Sequence, residues 1–376
     1  MKKITVLGAG MVGKAIAIDL AKMYQVRSAD ISQAALDELS AQGIEGRQAD
    51  LSNTDVIKEV VADADLVVGA VPGFMGFQMA KTVLEAGKNL VDISFFPEDI
   101  FLLDKLAKEK NVIAIFDCGV APGLSNLVVG YHHQSMIIQN FECYVGGLPK
   151  TRQWPYQYKA PFSPIDVIEE YTRPARIIVG GKEVVKEALS ECELMDFGPA
   201  GMLEAFNSDG LRSLVKTVDI PNMKEKTLRY PGHVEYMQVL RATGFFDKEP
   251  IMVNGQMVSP LDMTTKLLFP KWKLEKEEQE FTVMKILVEG KENGQLKRYT
   301  YDLYDEYDPI TKTSSMARTT GYTCTAAVSL VLQGEMDRPG VYPPEFIGAR
   351  PSCFKLMLQY LQERGVAFKI KEEILA

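Results

Sequence analysis

The chain has 376 residues, enough for two or three domains of ordinary size, and its 46% hydrophobic content can supply a large core. A net charge of −8 argues against nucleic acid or an anionic membrane as the main partner. No run of about 18 apolar residues suggests a membrane span, and no signal-like stretch precedes the first predicted strand. Five cysteines without paired spacing favour a reduced, cytoplasmic protein.

The first third of the chain alternates apolar runs with helical stretches. Strict alternation predicts an α/β fold, a Rossmann doubly wound parallel sheet that binds ligands at the carboxyl ends of its strands. The predicted strands are 4–7, 26–29, a short third strand before Asp50, 66–70, 90–93 and 112–116, and the predicted helices are 14–23, 33–42, 55–62, 77–86 and 102–109.

The turn after the first strand carries a Gly-x-Gly-x-x-Gly fingerprint. Gly8 allows the tight turn, Gly10 lets a pyrophosphate approach the backbone, and Gly13 lets the helix pack on the strand. Met11 and Val12, within the fingerprint, are predicted to contact the cofactor, and the helix that follows offers free N–H groups and a positive dipole end to the phosphates. The sequence therefore predicts a bound dinucleotide.

Other residues at this edge indicate which dinucleotide binds. Asp30 ends the second strand, near the expected spacing of roughly 20 residues. Its carboxylate can accept hydrogen bonds from the adenosine ribose and would repel a 2′-phosphate, so NAD is predicted over NADP. Asp50 could reach the adenine edge or, equally well, cap the following helix. The segment of Ala70, Val71 and Pro72 is predicted to pass beneath the adenosine or the nicotinamide ribose.

Strict alternation ends near residue 123. The following segment predicts an inserted α+β domain that carries a largely antiparallel sheet, since Asn293-Gly294 lies between two alternating runs. The predicted elements are strand 141–147, hairpin 177–186, strand 226–230, helix 233–243, and the hairpin of 280–289 with 297–304.

The end of the chain returns to helices at 316–333 and 352–364 and a strand at 366–370, which we expect to pack on the first domain. The predicted domains are therefore 1–122 plus 316–376, which bind NAD, and 123–315, which binds substrate.

Four segments resemble the saccharopine dehydrogenase superfamily and, within it, the lysine 6-dehydrogenase branch. They are 116–127, 146–149 with 158–164, 227–233, and 316–321. The resemblance covers nearly the whole chain. It implies a Rossmann domain split by a substrate and dimerisation domain, and a homodimer formed through the antiparallel sheet.

The chain departs from the saccharopine-forming enzymes at two places. They usually carry Asp-Pro-Gly where this chain has Ala121-Pro122-Gly123, as the lysine dehydrogenases do. Ile165 and Asp166 stand where saccharopine reductases place an arginine for a substrate carboxylate. Loss of an arginine and gain of an acid favour a smaller, more cationic substrate. We therefore expect oxidation of the side-chain amine of L-lysine to its 6-semialdehyde, with release of ammonia.

Three residues are candidates for the catalytic role. Asp92, which follows the fifth strand together with Ser94, could bind the substrate amine or relay its proton, or could form the strand-end turn. Asp117, after the sixth strand, has the same two interpretations. His233 could be the base, although a lone histidine at a helix start is more often structural.

Substrate-binding candidates lie in the inserted domain, with Ser94 from the first. Arg229 and Tyr230 match the family's segment for a substrate carboxylate, and an arginine fork suits that group. Tyr158, Lys159 and Arg173 could form the pocket wall, although aromatic residues there are more often core.

Other chemistries have little support in the sequence. No HExxH or paired-cysteine spacing predicts a metal site. Two alternatives to amine oxidation stay open. One is reductive amination that gives saccharopine or carboxynorspermidine, which as a rule needs NADPH. The other is an NAD-binding sensor without turnover.

Overall fold

The computed structural model describes residues 1–275 and 277–375. Its strands, in chain order, are β1 (Lys3–Leu7), β2 (Gln25–Asp30), β3 (Glu45–Gln48), β4 (Leu66–Gly69), β5 (Asn89–Asp92), β6 (Ile113–Ile115), β7 (Met136–Pro149), β8 (Ala175–Val179), β9 (Lys182–Lys186), β10 (Glu193–Asp196), β11 (Met202–Asn207), β12 (Asn222–Arg229), β13 (Ile251–Val253), β14 (Gln256–Val258), β15 (Glu280–Glu292), β16 (Gln295–Glu306), β17 (Gly340–Tyr342) and β18 (Phe368–Ile374).

The helices follow the same chain order, with short 3-10 turns at Ile100–Leu103 and Gly198–Ala200. They are α1 (Met11–Ala21), α2 (Gln33–Ser40), α3 (Thr54–Val61), α4 (Gly73–Glu85), α5 (Asp104–Glu109), α6 (Leu124–His132), α7 (Pro164–Thr172), α8 (Leu214–Thr217), α9 (His233–Thr243), α10 (Pro260–Trp272), α11 (Ser315–Gln333), α12 (Pro344–Gly348) and α13 (Pro351–Gln362). None of these helices is both long and apolar enough to cross a bilayer.

The chain divides into two compact units. The first comprises Met1–Met136 and Met316–Ala367, and the second comprises Ile137–Ser315 and the chain from Phe368 onwards. These bounds differ from the predicted ones at two places. Helix α6 belongs to the first unit, because α12 packs closely on it. Strand β18 belongs to the second unit, because it pairs with β16 from Leu303–Phe368 to Lys297–Ile374.

The first unit is built on a seven-stranded sheet in the order β17-β6-β5-β4-β1-β2-β3. The paired strands are parallel, as in β1–β2, β1–β4 and β5–β6, so the predicted doubly wound sheet is confirmed. Strand β17 extends the sheet beyond the prediction, because Gly340–Tyr342 pairs with β6 in parallel. The chain thus returns to the first sheet after the insertion.

The second unit holds a nine-stranded mixed sheet in the order β10-β11-β12-β7-β15-β16-β18, with β8 on β12 and β9 on β8. The pairs β10–β11, β11–β12, β15–β16 and β8–β9 are antiparallel, whereas β7 and β12 are parallel. The largely antiparallel sheet was predicted, and the parallel pair was not. One hydrophobic cluster joins strand residues such as Phe206 to Tyr171 of α7 and Trp272 of α10.

Candidate functional site

The turn between β1 and α1 has the geometry of a phosphate cradle. Gly8 has a φ of 113°, which favours glycine, and Gly13 packs against the Gly8 carbonyl so closely that a side chain would collide with it. A Cβ placed on Gly10 would instead meet nothing within 4 Å. Helix α1 begins at Met11, followed by Val12, with Gly10 as its N-cap. Open space in front of a helix N-terminus fits a dinucleotide pyrophosphate.

Asp30 is held beside this cradle by two backbone contacts. Its Oδ2 accepts a hydrogen bond from the Ala9 N–H at 2.6 Å, and its Oδ1 accepts one from the Ser32 N–H at 2.8 Å. The carboxylate is therefore fixed at the tip of β2 against the glycine turn. Each carboxylate oxygen can accept more than one hydrogen bond, so both can still receive ribose hydroxyls.

Asp50 has a different local role from the helix cap considered for it. Its Oδ1 accepts from the Ser52 N–H at 3.0 Å and from the Ser52 hydroxyl at 2.7 Å, and these bonds lower the pKa of its carboxyl. Helix α3 is capped by Asn53, whose Oδ1 accepts from the Asp55 N–H. The helix-cap interpretation of Asp50 is therefore wrong, and contact with adenine stays a prediction.

The segment after β4 continues the same edge of the sheet. The Ala70 N–H donates to the Leu7 carbonyl at 2.9 Å, Val71 is buried, and Pro72 is the N-cap of α4. A second helix therefore begins at this edge, where the sequence analysis places a ribose.

Buried acids follow the next two strands. Asp92 is fully buried at the end of β5 and accepts hydrogen bonds from the Ser94 N–H at 2.9 Å and the Ser94 hydroxyl at 3.0 Å. Asp117, also buried, has a φ of 53°. Burial raises the pKa of the Cys118 thiol, and the charges of Asp117 and Asp92 add to this effect. The structure thus places both predicted acids near one thiol, with Ser94 hydrogen-bonded to Asp92.

In the second unit, Arg229 is buried at the end of β12, with 2% of its side chain exposed. Its Nε donates to the Tyr171 hydroxyl at 2.9 Å, and its Nη1 donates to the Leu228 carbonyl at 2.9 Å. Its Nη2 lies 2.6 Å from Glu170 Oε2 and 3.4 Å from the Tyr158 hydroxyl. The fork predicted to bind a substrate carboxylate is therefore already paired with Glu170.

His233 lies at the first position of α9 within the same cluster. Its Nδ1 is 2.8 Å from the Tyr156 carbonyl oxygen, which can only accept, so Nδ1 carries the proton. Its Nε2 therefore accepts from the Tyr171 hydroxyl at 2.9 Å. Burial, assisted by the charge of Arg229, lowers the pKa of His233 to about 3. These contacts favour the structural interpretation of His233 over a role as general base.

Aromatic rings enclose the cluster. The Arg229 guanidinium carbon lies 4.4 Å from the centroid of the Tyr158 ring and 5.5 Å from that of Tyr171. Both rings contact Trp272 edge to face, at centroid distances of 5.6 Å and 6.2 Å. Burial raises the pKa of both tyrosines, so they stay protonated at neutral pH. Cation–π contact stabilises the Arg229 charge, whereas burial raises the pKa of the Glu170 carboxyl against the lowering effect of Arg229.

The other predicted substrate residues have partners of their own. The Tyr230 hydroxyl donates to the Pro149 carbonyl at 2.9 Å. The Lys159 ammonium donates to the Lys273 carbonyl at 3.1 Å and lies 3.8 Å from Glu278. Arg173 lies 3.5 Å from Glu169, one turn earlier on its helix. Among the predicted substrate residues, Tyr158 contacts Arg229.

The sequence analysis predicts no metal site. Among residues 1–275 and 277–375, no group of three or more histidine, cysteine, aspartate or glutamate side chains is arranged to hold a metal ion.

The split doubly wound sheet, with its glycine cradle and the carboxylate of Asp30 held beside it, is typical of two-domain pyridine-nucleotide-dependent oxidoreductases. Residues 4–115 match the family model of the saccharopine dehydrogenase NADP binding domain, and residues 119–366 match that of the saccharopine dehydrogenase C-terminal domain. The chain belongs to the saccharopine dehydrogenase family. The family-level prediction is thus confirmed, whereas the lysine 6-dehydrogenase branch stays a prediction.

Similar proteins differ in how much of their length is shared. An alpha-aminoadipic semialdehyde synthase of Arabidopsis thaliana is 27% identical over 57% of this chain, a match that covers 22% of that longer protein. A carboxyaminopropylagmatine dehydrogenase of Synechocystis sp. is 22% identical over 95% of both chains. The solved apo saccharopine dehydrogenase (L-Glu forming) of Saccharomyces cerevisiae aligns over 100% of both chains, with a TM-score of 0.80 and 18% identity. That last likeness shows the fold.

Proposed function

We propose that this chain is an NAD-dependent amine dehydrogenase that oxidises the side-chain amine of L-lysine to the 6-semialdehyde and releases ammonia. The observation that carries the redox part is the nucleotide edge, where an open glycine cradle and a helix N-terminus adjoin the anchored carboxylate of Asp30. A negative charge at the tip of β2 disfavours a 2′-phosphate, which supports NAD over NADP.

The charge balance of the second unit supports a small cationic substrate. Saccharopine carries three carboxylates and needs several cationic partners. Arg229 is buried and paired with Glu170, so one predicted cation is neutralised before any substrate binds. Asp166 lies near this pair and adds negative charge. Lysine, with one carboxylate and two amines, suits this balance better than a tricarboxylate.

The chemistry requires a proton acceptor as well as a hydride acceptor. When bound, NAD supplies the hydride acceptor for the carbon that bears the amine. The side-chain ammonium must first lose a proton, since a cation resists loss of hydride, and water then converts the substrate imine to aldehyde and ammonia. We assign the proton acceptor to one of the two carboxylates at the ends of β5 and β6, Asp92 or Asp117. Both follow strands at the ligand-binding edge of the sheet.

The test is a spectrophotometric assay of the purified protein with NAD and one amine at a time. Appearance of NADH absorbance with L-lysine alone supports the proposal. Asp92→Asn and Asp117→Asn, assayed across pH, should identify the acceptor as the variant that loses the acid limb of the rate profile. Absence of lysine oxidation, with turnover of another substrate, would refute the substrate assignment.

A second candidate function is reductive amination, in which an amine and a carbonyl acid are joined. It is favoured by the match to the carboxyaminopropylagmatine dehydrogenase, which extends over 95% of both chains. This function predicts oxidation of NADH or NADPH only when a carbonyl acid and an amine are supplied together. Nucleotide binding without turnover in either direction would instead support a sensor.

We also propose that the protein is cytoplasmic and forms a homodimer through the sheet of the second unit. None of the five cysteines, all of which are among the described residues, takes part in a disulfide, and four are buried, which is typical of a reduced protein. Light scattering of the purified protein measures the oligomeric state directly, and a monomeric mass at micromolar concentration would refute the dimer.

A further inference from the structure

Glu170 is the part of the buried ion pair that reaches the surface of the second unit. Its side chain is 21% exposed, whereas that of Arg229 is 2% exposed. A ligand that approaches this cluster therefore meets the carboxylate before the guanidinium.

The carboxylate is fixed at one oxygen and open at the other. Oε2 accepts from Arg229 at 2.6 Å, and Arg229 is itself held by Tyr171 and the Leu228 carbonyl. Within the described residues, Oε1 of Glu170 makes no hydrogen bond. An acceptor held in one orientation loses little side-chain entropy when a donor binds to it.

The surroundings favour a cation at this oxygen. Arg229 and Glu170 neutralise each other, so the open oxygen is the exposed polar end of a neutral pair. The buried Tyr158 and Tyr171 rings contact the guanidinium and stabilise its charge in place, which keeps Arg229 paired with Glu170. An anion would meet a carboxylate first and would have to displace it from its 2.6 Å contact with Arg229.

We propose that Glu170 binds an ammonium group of the substrate through Oε1, with Arg229 as a positioning residue. This inference rests on the proposed function, because it requires an amine substrate. The group bound is the α-ammonium of lysine, because a carboxylate stabilises a cation and the reacting side-chain amine must become neutral. Glu170 thereby selects amino acids that carry a free α-amine.

The test compares Glu170→Gln with Glu169→Gln. Glu169 is the preceding residue of α7 and is also paired with cations, Arg173 at 3.5 Å and Lys248 at 3.2 Å. Steady-state kinetics give KM and kcat for lysine. Calorimetry gives dissociation constants for norleucine, which lacks the side-chain amine, and for 6-aminohexanoate, which lacks the α-amine.

Loss of one charged hydrogen bond should raise the KM for lysine by about 10- to 150-fold in Glu170→Gln, with kcat changed less than about threefold. Norleucine affinity should fall by a similar factor, and 6-aminohexanoate affinity should not change. Glu169→Gln should stay within about twofold of wild type. Glu170→Asp keeps the charge and should recover part of the lost lysine affinity. If Glu170→Gln does not fold, the KM of Glu170→Asp is measured in its place.

The outcomes separate the two proposals. If wild type oxidises lysine and Glu170→Gln has the KM of Glu169→Gln, the role of Glu170 is refuted and the proposed function stands. If Glu170→Gln binds all three probes more tightly, the substrate carboxylate displaces Glu170 from Arg229, which also refutes the inference. A wild-type protein that binds neither lysine nor norleucine refutes both proposals.

Discussion

Acidification should destabilise the second unit through His233. The ring is buried, donates from Nδ1 to the Tyr156 carbonyl and accepts at Nε2 from Tyr171. Protonation of Nε2 would leave two donors facing each other until the Tyr171 hydroxyl turned away. The charge of Arg229, which donates to the same hydroxyl, opposes protonation as well. We therefore expect the folded protein to resist a proton that the unfolded chain accepts.

The size of the effect follows from the shift. The pKa of His233 falls from an ordinary 6.5 to about 3 in the folded state. Because the pKa of His233 is lower in the folded than in the unfolded chain, the stability that the neutral ring contributes is complete above pH 6.5. That contribution is lost as the pH falls toward 3. At a pH two units below 6.5, the loss is about 3 kcal/mol. The side chain is only 2% exposed, so solvent screening does not reduce this figure much.

The assay is urea unfolding between pH 7.5 and 4.5, followed by tryptophan fluorescence. Both tryptophans belong to the second unit. Trp272 lies in the same cluster and is fully buried, whereas Trp154 is 85% exposed, so the change in fluorescence on unfolding reports mainly on this cluster. Wild type is compared with His233→Gln, whose amide can replace both hydrogen bonds without titrating. The stability advantage of wild type should shrink by about 3 kcal/mol across this range.

A control variant removes a histidine that lies outside the buried cluster. His133→Gln serves, because its ring is exposed at the end of α6. If wild type and His233→Gln lose stability in parallel as the pH falls, protonation of His233 is not the cause of the loss.

Three further predictions concern charge and backbone space. Arg229→Met should destabilise the fold by about 3–5 kcal/mol, because it leaves the Glu170 carboxylate without its cation. The double variant with Glu170→Gln should recover more than half of the lost stability. Equal melting temperatures of the single and double variants would contradict the pairing. Gly10→Val should leave the melting temperature nearly unchanged but weaken NAD binding, measured by calorimetry, at least 10-fold. Gly13→Val should lower the melting temperature, because the new Cβ would collide with the backbone carbonyl of Gly8. Asp30→Ala should raise the NADP to NAD ratio of kcat/KM, and an unchanged ratio would overturn the assigned role of that carboxylate.

The first unit could be predicted well because its signals are local. Apolar runs alternate with helical periods, and Gly8 and Gly13 sit where the turn needs them, so β1, α1 and β2 follow from short-range pattern. Strand β17 was missed because it has only three residues and its partner, β6, lies more than two hundred residues earlier. Strand β18 was assigned to the wrong unit for a related reason. The charged residues of β18 are typical of a solvated edge strand, but no local sequence pattern predicts that β18 pairs with β16.

The candidate site was predicted in part: the sequence predicted Arg229 but not the acid that neutralises its charge. Arg229 was predicted from a motif, and a motif identifies a residue without identifying the side chains that contact it. A buried arginine requires an acceptor of opposite charge, so the burial of Arg229 alone implies a nearby acid. Two adjacent glutamates of α7 could fill that role. Helix rotation decides between them: Glu170 pairs with Arg229, while Glu169 lies about 100° around the helix and pairs with Arg173 and Lys248.

The same pairing changes what the arginine can do for a ligand. An unpaired arginine fork in a pocket would recognise a carboxylate, which is how the motif was interpreted. With Glu170 in place, a carboxylate must break a charged contact of 2.6 Å before it gains one, whereas an ammonium gains a contact and breaks none. Specificity is a difference between such affinities, and here the difference favours the cation. One glutamate that no motif singled out therefore reverses the charge of the ligand that this cluster prefers.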